Sequence, residues 1–426
     1  MGSDDDRPTL IRGGTLIDGT DREPQRGMAV LVEDGRIRKV APERDLAAGN
    51  GWRVLDADGH TILPGLIEAH MHFLGSREPN SMMWVIEPPY LNCARAVFDA
   101  WKVLDYGFTT VRDVGSRNGV AIKQAVAEGA IVGPRVVPAH YGLSMTCGHG
   151  DVHPLPSEWL CGCSALAHIV DGVDAVRHAV RKSVREGADL IKVWLTGGTM
   201  TERDSLEDQH YSDEEIATIV AEAHRLRRKV AAHSEGILGT HAAIRGGVDS
   251  IEHGFELDEA ACHAMKEKGI FLVATLSLLH GVVNTPGVPE YAKTKAKPMF
   301  DTHIASFRRA VEMGVRIGSG CDAFSDPVTP FGPYNIKELA LMVEAGLTPL
   351  QAIRAATASN AELLGLAGEI GTIEAGKRAD VLVVRGELAD DIGPLMDKEN
   401  IATLLKGGRD MPRLKDVWPE AIAAET

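Results

Sequence analysis

Two textures of apolar spacing divide the chain. Near the N-terminus, β-rich runs at 9–17, 29–33 and 37–40 are short, and Glu33-Asp34-Gly35-Arg36 between the last two is a hairpin turn signal. The same texture returns late, in Gly371-Thr-Ile-Glu-Ala-Gly376 followed by Ala379-Asp-Val-Leu-Val-Val384. Between these ends, short apolar runs at 66–73, 109–113, 135–139, 190–195, 230–233, 250–253, 270–275 and 316–320 alternate with helical periodicity. Ser212 and Glu215 form a capping-box signal ahead of Ile216, Ile219, Val220 and Ala223, whose spacing marks one buried helix face. Thr348, Pro349 and Gln351 open another helix in the same way.

Eight β units alternating with helices over some 300 residues predict a (β/α)8 TIM barrel. Two β-rich ends around it predict one small β-sandwich domain assembled from both chain termini. The expected division is a sandwich from 8–61 and 366–410, a barrel over 62–365, and a C-terminal tail at 411–426.

Composition narrows the function classes. The 426 residues are 44% apolar and 25% charged, ordinary for a soluble globular protein, and 45 glycines suit a tightly wound α/β chain. Net charge is −15 and no basic cluster tracks phosphates, which argues against nucleic acid. No apolar run approaches the roughly 18 residues that would span a membrane. The polar stretch 1–8, with Asp4, Asp5 and Asp6, lacks the apolar region of a secretory signal, so a cytoplasmic location is expected. Six cysteines, none in a CxxC pair, are expected as reduced thiols, with Cys161 and Cys163 the pair that could ligate a soft metal.

The chemistry sits at predicted strand ends. Leu63-Pro-Gly-Leu-Ile-Glu-Ala-His70-Met-His72 covers the first barrel strand, and alternation along a strand sends His70 and His72 to one face. Lys192 lies on the fourth strand, His233 ends the fifth, His253 ends the sixth and Asp322 follows the eighth. A barrel gathers the C-terminal ends of its strands, so these six groups converge where active sites of that fold lie. Two imidazoles aimed at one point suit a borderline divalent cation.

With these residues in place, the chain resembles the amidohydrolase superfamily, in its imidazolonepropionase-related, prolidase-like branch. The resemblance spans nearly the whole chain, including Pro-Gly-Leu-Ile-x-x-His-x-His, Ile-Lys-Val, the later histidines and the closing Gly-Thr-Ile-Glu-Ala-Gly-Lys-Arg-Ala-Asp. Glu68 departs from the aspartate that relatives carry, and its strand parity with His70 makes it a supporting group rather than a ligand.

The resemblance implies two divalent metal ions, zinc being the expected one, joined by Lys192 after carboxylation by CO2. It implies that His70, His72 and Asp322 hold one cation and His233 and His253 the other. A hydroxide bridging the cations would attack the amide, with Asp322 taking its proton and passing it to the leaving amine. His149, in Gly142-Leu-Ser-Met-Thr-Cys-Gly-His149-Gly-Asp151, resembles a Gly-Gly-His-Gly loop of the same relatives and is expected to donate to the carbonyl oxygen or a substrate carboxylate. Glu235 and Tyr211 are further substrate-binding candidates, with His140 and His280 near strand ends and Arg112 and Arg203 able to pair a free carboxylate.

The expected activity is hydrolysis of an amide or peptide bond in a small molecule, with an Xaa-Pro dipeptidase-like enzyme first. An N-acyl amino acid or xenobiotic (mycotoxin-type) amidase would use the same machinery. A mononuclear deaminase or cyclic amidohydrolase would share the histidines and the aspartate but not Lys192. Association into a homo-oligomer is expected, as in many barrels with flanking β domains.

Overall fold

The computed structural model describes residues 7–160, 164–325 and 327–418. Cys161, Cys163 and Asp4–Asp6 lie outside the described residues; Cys93, Cys147, Cys262 and Cys321 are free thiols.

Both chain ends share one eight-stranded sheet. Its order runs Arg409–Asp410, Ile401–Lys406, Val381–Arg385, His60–Pro64, Thr9–Leu16, Gln25–Glu33 and Arg36–Pro42, with Arg53–Asp56 also beside Thr9–Leu16. The hairpin forms where the turn residues place it: Asp34 and Gly35 have φ of 52° and 72°, the left-handed pair a tight two-residue turn needs. The join between the chain ends is antiparallel, Val383 opposite Ile62. Ile11, Val30, Ile62, Val381, Val383 and Leu405 pack into one apolar layer over it.

The middle of the chain forms two parallel sheets. One orders Ala323–Ser325, Leu66–Ser76, Phe108–Asp113 and Arg135–Pro138. The other orders Ala167–Ile169, Gly142–Ser144, Leu190–Trp194, Lys229–Ser234, Ser250–His253, Phe271–Val273 and Arg316–Gly318. Backbone hydrogen bonds join them at both edges: Asp189 N donates to Pro138 O at 2.8 Å, and Ala69 N donates to Ser319 O at 3.0 Å. Leu66–Ser76 is buried at every position, as expected of parallel strands covered on both faces.

All eight runs picked out by apolar spacing are strands. Two differences have local causes. Gly142–Ser144, expected as loop, is a short strand against Ala167–Ile169. The run at 270–275 shortens to Phe271–Val273 because Thr275, at φ 53°, turns the chain into the helix Leu276–Asn284. Both capping boxes form; Ser212 Oγ accepts from Glu215 N at 3.3 Å while Glu215 accepts from Ser212 N at 2.9 Å. No helix among the described residues is long and apolar enough to cross a membrane.

Leu66–Ser76 carries two of the candidate ligands, and it lies tight against the helix Pro89–Asp105 at Gly75. That glycine has φ 65°, and a Cβ there would stand 1.9 Å from the Asn92 carbonyl oxygen. Gly75→Ala is therefore expected to cost about 2 kcal/mol or more, from left-handed strain and overpacking together. A urea melt checks this; an unchanged midpoint would mean that the helix yields freely.

Candidate metal centre and active site

The C-terminal ends of the parallel strands bring the ligand-type residues into one buried cavity. It is lined by His70, His72, His149, Lys192, His233, His253 and Asp322, with apolar walls from Trp84, Leu166, Trp194, Met200 and Phe324. The His70 ring centroid is 5.4 Å from that of His72 and 5.0 Å from that of His253, and His253 is 4.5 Å from His233. Asp322 Oδ1 lies 3.5 Å from His70 Nε2 and 3.2 Å from His72 Nε2.

The histidines are held from behind. His70 Nδ1 meets Glu252 Oε2 at 2.7 Å, His72 Nδ1 meets the Gly115 carbonyl at 2.7 Å, and His253 Nδ1 meets Thr275 Oγ1 at 2.7 Å. Each contact fixes the ring and turns Nε2 toward the cavity, the usual way of orienting a metal-ligating imidazole. Burial pushes His70 down to about 4, with Lys192 adding to it, and drives His233 and His253 well below the usual histidine value. His70, His233 and His253 are thus neutral, with lone pairs free to bind.

His70 Nε2 and Asp322 Oδ1 are buried without a hydrogen-bond partner. Buried polar atoms are normally paired, so orphaned acceptors facing each other are of a kind that would fit a divalent cation. The candidate ligand atoms of His70, His253 and Asp322 lie within 4.8 Å of one another, as do those of His149, His233 and Glu235. The donor set, imidazole nitrogen and carboxylate oxygen, suits zinc and its neighbours.

Backbone strain concentrates here. His253 and Asp322 have φ of 75° and 57°, a region that residues with a Cβ seldom enter. Asp322 is held there by its own N–H, which donates to His70 O at 2.8 Å. Burial opposes the Asp322 charge, but His70 and His72 outweigh it and hold the carboxyl well below the usual range.

Beneath the ligands lies a buried ion pair. Arg112 Nη2 donates to both Glu252 oxygens at 2.8 Å, and Arg112 also bonds Ser250 and the Ala69 carbonyl. Burial works against the Glu252 charge; Arg112 and then His70 overcome it and keep the carboxyl ionised. Arg112 is therefore spent inside the protein and cannot pair a substrate carboxylate. Glu68 accepts from His70 N at 2.7 Å, Cys321 N at 3.1 Å and Asn335 Nδ2 at 2.8 Å, and burial raises it to about 8.

The other candidates divide. His149 faces the cavity, its ring stacked 4.4 Å from His233, and its Nδ1 meets Thr201 Oγ1 at 2.7 Å. Thr201 in turn donates to Asp204 at 2.6 Å, and Lys295 Nζ reaches Asp204 Oδ1 at 3.0 Å. Glu235 is buried with Oε1 3.8 Å from His233 Nε2, and Oε2 accepts from Thr199 N at 3.1 Å. Tyr211 does not line the cavity: its ring is in the apolar core and its hydroxyl donates to Val170 O at 3.1 Å. His140 and His280 lie elsewhere, His280 against Phe300, and Arg203 is exposed.

Residues 61–411 match the model of the Amidohydrolase family. The chain belongs to the amidohydrolase family. It is 34% identical over 430 residues to ochratoxinase of Aspergillus niger, covering 96% of this chain and 87% of that protein. The crystal structure of A. niger ochratoxinase is similar with a TM-score of 0.87 at 33% identity, covering 95% of each chain. A Xaa-Pro dipeptidase with methionine bound in its active site gives 0.85 at 31% identity, covering 95% of this chain and 99% of that one. An imidazolonepropionase of Geobacillus sp. (strain WCH70) is 24% identical over 389 residues, 83% of each protein.

As an amidohydrolase the chain is a hydrolase of carbon–nitrogen bonds. Several groups in this amidohydrolase site have no motif of their own: Glu252, Thr275, Thr201, Asp204 and Trp84. Strand alternation sends Glu252 and His253 to opposite faces, yet the left-handed turn at His253 lets both neighbours face inward. Glu252→Gln removes the charge that Arg112 needs and weakens the hold on His70. It is expected to lower divalent-metal affinity about 10- to 100-fold and to cost about 3–5 kcal/mol of stability. Metal retention on dialysis, with a thermal melt, checks both; wild-type values in each would remove Glu252 from the support of the site.

Proposed function

We propose that the two parallel sheets form one (β/α)8 barrel, with residues 62–365 as its extent. The flanking sheet, from 8–61 and 366–410, is then the β-sandwich domain, and 411–426 is the tail. The seam hydrogen bonds at Asp189–Pro138 and Ala69–Ser319 support this reading. On this barrel the enzyme hydrolyses an amide or peptide bond with two divalent cations, zinc being the ion best suited to the ligands. The observation that carries the proposal is the convergence of back-held imidazoles, Asp322 and Lys192 on one buried cavity.

His70, His72 and Asp322 would hold one cation, His233 and His253 the other, with Lys192 between them as its carbamate. Lys192 is fully buried, and burial brings its amine down to about 8. A neutral amine can add to CO2, forming the N–C bond and releasing a proton, which turns a donor-only group into an anionic ligand. When bound, such cations lower the pKa of water from about 15.7 toward roughly 7 and polarise the scissile carbonyl.

The protein's own groups do the rest. Asp322, ionised and strained into the cavity, accepts the proton of the attacking water and hands it to the departing amine nitrogen. Without that proton the leaving group would be an amide anion. His149, its Nδ1–H held through Thr201 and Asp204, turns Nε2 into the cavity, where in its imidazolium form it would donate to the carbonyl oxygen or to a substrate carboxylate. Trp84, Leu166, Trp194, Met200 and Phe324 exclude water and favour hydrophobic side chains.

The substrate reading placed first is a dipeptide of the Xaa-Pro type, supported by the likeness to a Xaa-Pro dipeptidase. An N-acyl amino acid or mycotoxin-type amide is the second, supported by the ochratoxinase likeness and by two tryptophans in the wall. Lys192 inside the cavity weighs against a mononuclear deaminase or cyclic amidohydrolase.

A mass-spectrometric hydrolysis screen of Xaa-Xaa and Xaa-Pro dipeptides and N-acyl amino acids tests the proposal, on protein supplied with zinc and bicarbonate. Lys192→Ala is expected to lose binuclear metal binding and nearly all turnover. Asp322→Asn is expected to fold and to fall by about 10²-fold or more in kcat. Wild-type turnover in Lys192→Ala would sink the carbamate; no cleavage by protein holding two cations would sink the peptide-amide reading.

A further inference from the structure

A second set of ligand-type side chains converges away from the cavity. His140 follows the strand Arg135–Pro138, His168 lies on Ala167–Ile169, and Glu186 caps the helix Val173–Arg185. None of the three lines the catalytic cavity. Their candidate ligand atoms all lie within 4.8 Å of one another. Glu186 Oε2 is 3.4 Å from His140 Nδ1 and 3.9 Å from His168 Nε2. Ligand atoms about 2.0–2.1 Å from a tetrahedral zinc stand roughly 3.4 Å apart. The first pair already has that spacing and the second needs only a small closure.

Two further features point to a cation. His140 Nδ1 is buried without a hydrogen-bond partner, and His140 sits in the left-handed region at φ 59°. His168 Nε2 faces the Lys182 ammonium at 3.4 Å, and the same ammonium is 3.7 Å from Glu186 Oε1. An ammonium only donates, so His168 must present a lone pair there. Lys182 thus marks a place where an imidazole lone pair and a carboxylate both face positive charge. Its side chain is 42% exposed, so it can swing into solvent when a stronger cation arrives. Tyr141 braces both rings, with centroids 4.6 Å from His140 and 4.9 Å from His168. Burial lowers both histidines, His168 to about 4, so neither carries a charge that would repel a metal.

We propose that His140, His168 and Glu186 form an additional site for a borderline divalent cation of the zinc class, for which Lys182 competes. The ion would tie together three chain segments: the turn after Arg135–Pro138, the strand Ala167–Ile169 and the end of the helix Val173–Arg185. One coordination position would remain for water.

The test uses full-length holoenzyme dialysed against buffered zinc, with metal per chain counted by mass spectrometry. Wild type is expected to retain one more zinc than His140→Ala, His168→Ala and the shape-conserving Glu186→Gln. Lys182→Met is expected to hold that extra zinc about fivefold more tightly, the equivalent of removing an exposed ion pair. Because the readout is a difference between variants, it does not depend on how many cations the catalytic cavity holds. All four variants are expected to keep wild-type turnover, which certifies their folding. Equal zinc counts in wild type and in folded Glu186→Gln would overturn the proposal, as would unchanged or weaker zinc binding in Lys182→Met.

Discussion

Everything at the centre of this enzyme depends on how the Glu252 carboxylate is shared. One side chain, fully enclosed, satisfies the Arg112 guanidinium and fixes the His70 ring. Two unpaired charges at that depth would each cost several kcal/mol. Charge-assisted bonds from Arg112 Nη2 to both carboxylate oxygens, with further bonds from Arg112 to Ser250 and Ala69, supply the compensation that a bare ion pair lacks. Glu252 and Arg112 come from strands on opposite sides of the seam between the parallel sheets. The pair therefore ties the sheets together at the same place where it orients the His70 ring.

Glu68 does comparable work one layer away. Its Oε1 receives the backbone N–H of His70 and that of Cys321, the neighbour of Asp322. A single carboxyl group thus holds the segments that carry His70 and Asp322 in register, while Asn335 secures its other oxygen. Burial raises Glu68 to about 8, so near neutrality it is largely a neutral carboxylic acid. Positive φ at His253 and Asp322 belongs to the same economy of position. These residues leave regular strand geometry so that their side chains can turn inward, and the hydrogen bond from Asp322 N to His70 O holds one of the turns.

How much of this was legible in the sequence follows from the range of each interaction. The strands, capping boxes and hairpin turn are local, so apolar periodicity and turn residues announced them. The convergence of His70, His72, Lys192, His233, His253 and Asp322 on one cavity was legible because each lies on or just after a strand that apolar spacing marks out. The supports were not. Asp204 reaches His149 through Thr201, and Lys295 reaches Asp204 and the Thr201 carbonyl from a helix some ninety residues later. Tyr211 illustrates the opposite error: its place before a capping box gave no sign that its ring turns into the core and its hydroxyl reaches Val170. Arg112, a candidate for a substrate carboxylate, was already committed to Glu252, a partner 140 residues away.

Lys192 is the residue through which the metal reading has the most to explain. Imidazoles held neutral by burial and an ionised aspartate form a cavity ready for positive charge, yet a lysine stands among them. As an ammonium it would repel any cation there, and at about 4 Å and an effective dielectric near 20 that repulsion is about 4 kcal/mol per unit charge. As a neutral amine it would offer a single lone pair and no negative charge. As a carbamate it would offer two oxygens and an anion, and the sign of its contribution would reverse. Burial that lowers the amine to about 8 moves it toward the only form that can attack CO2. The same burial that makes Lys192 a poor ammonium thus prepares it for the modification that would make it a ligand.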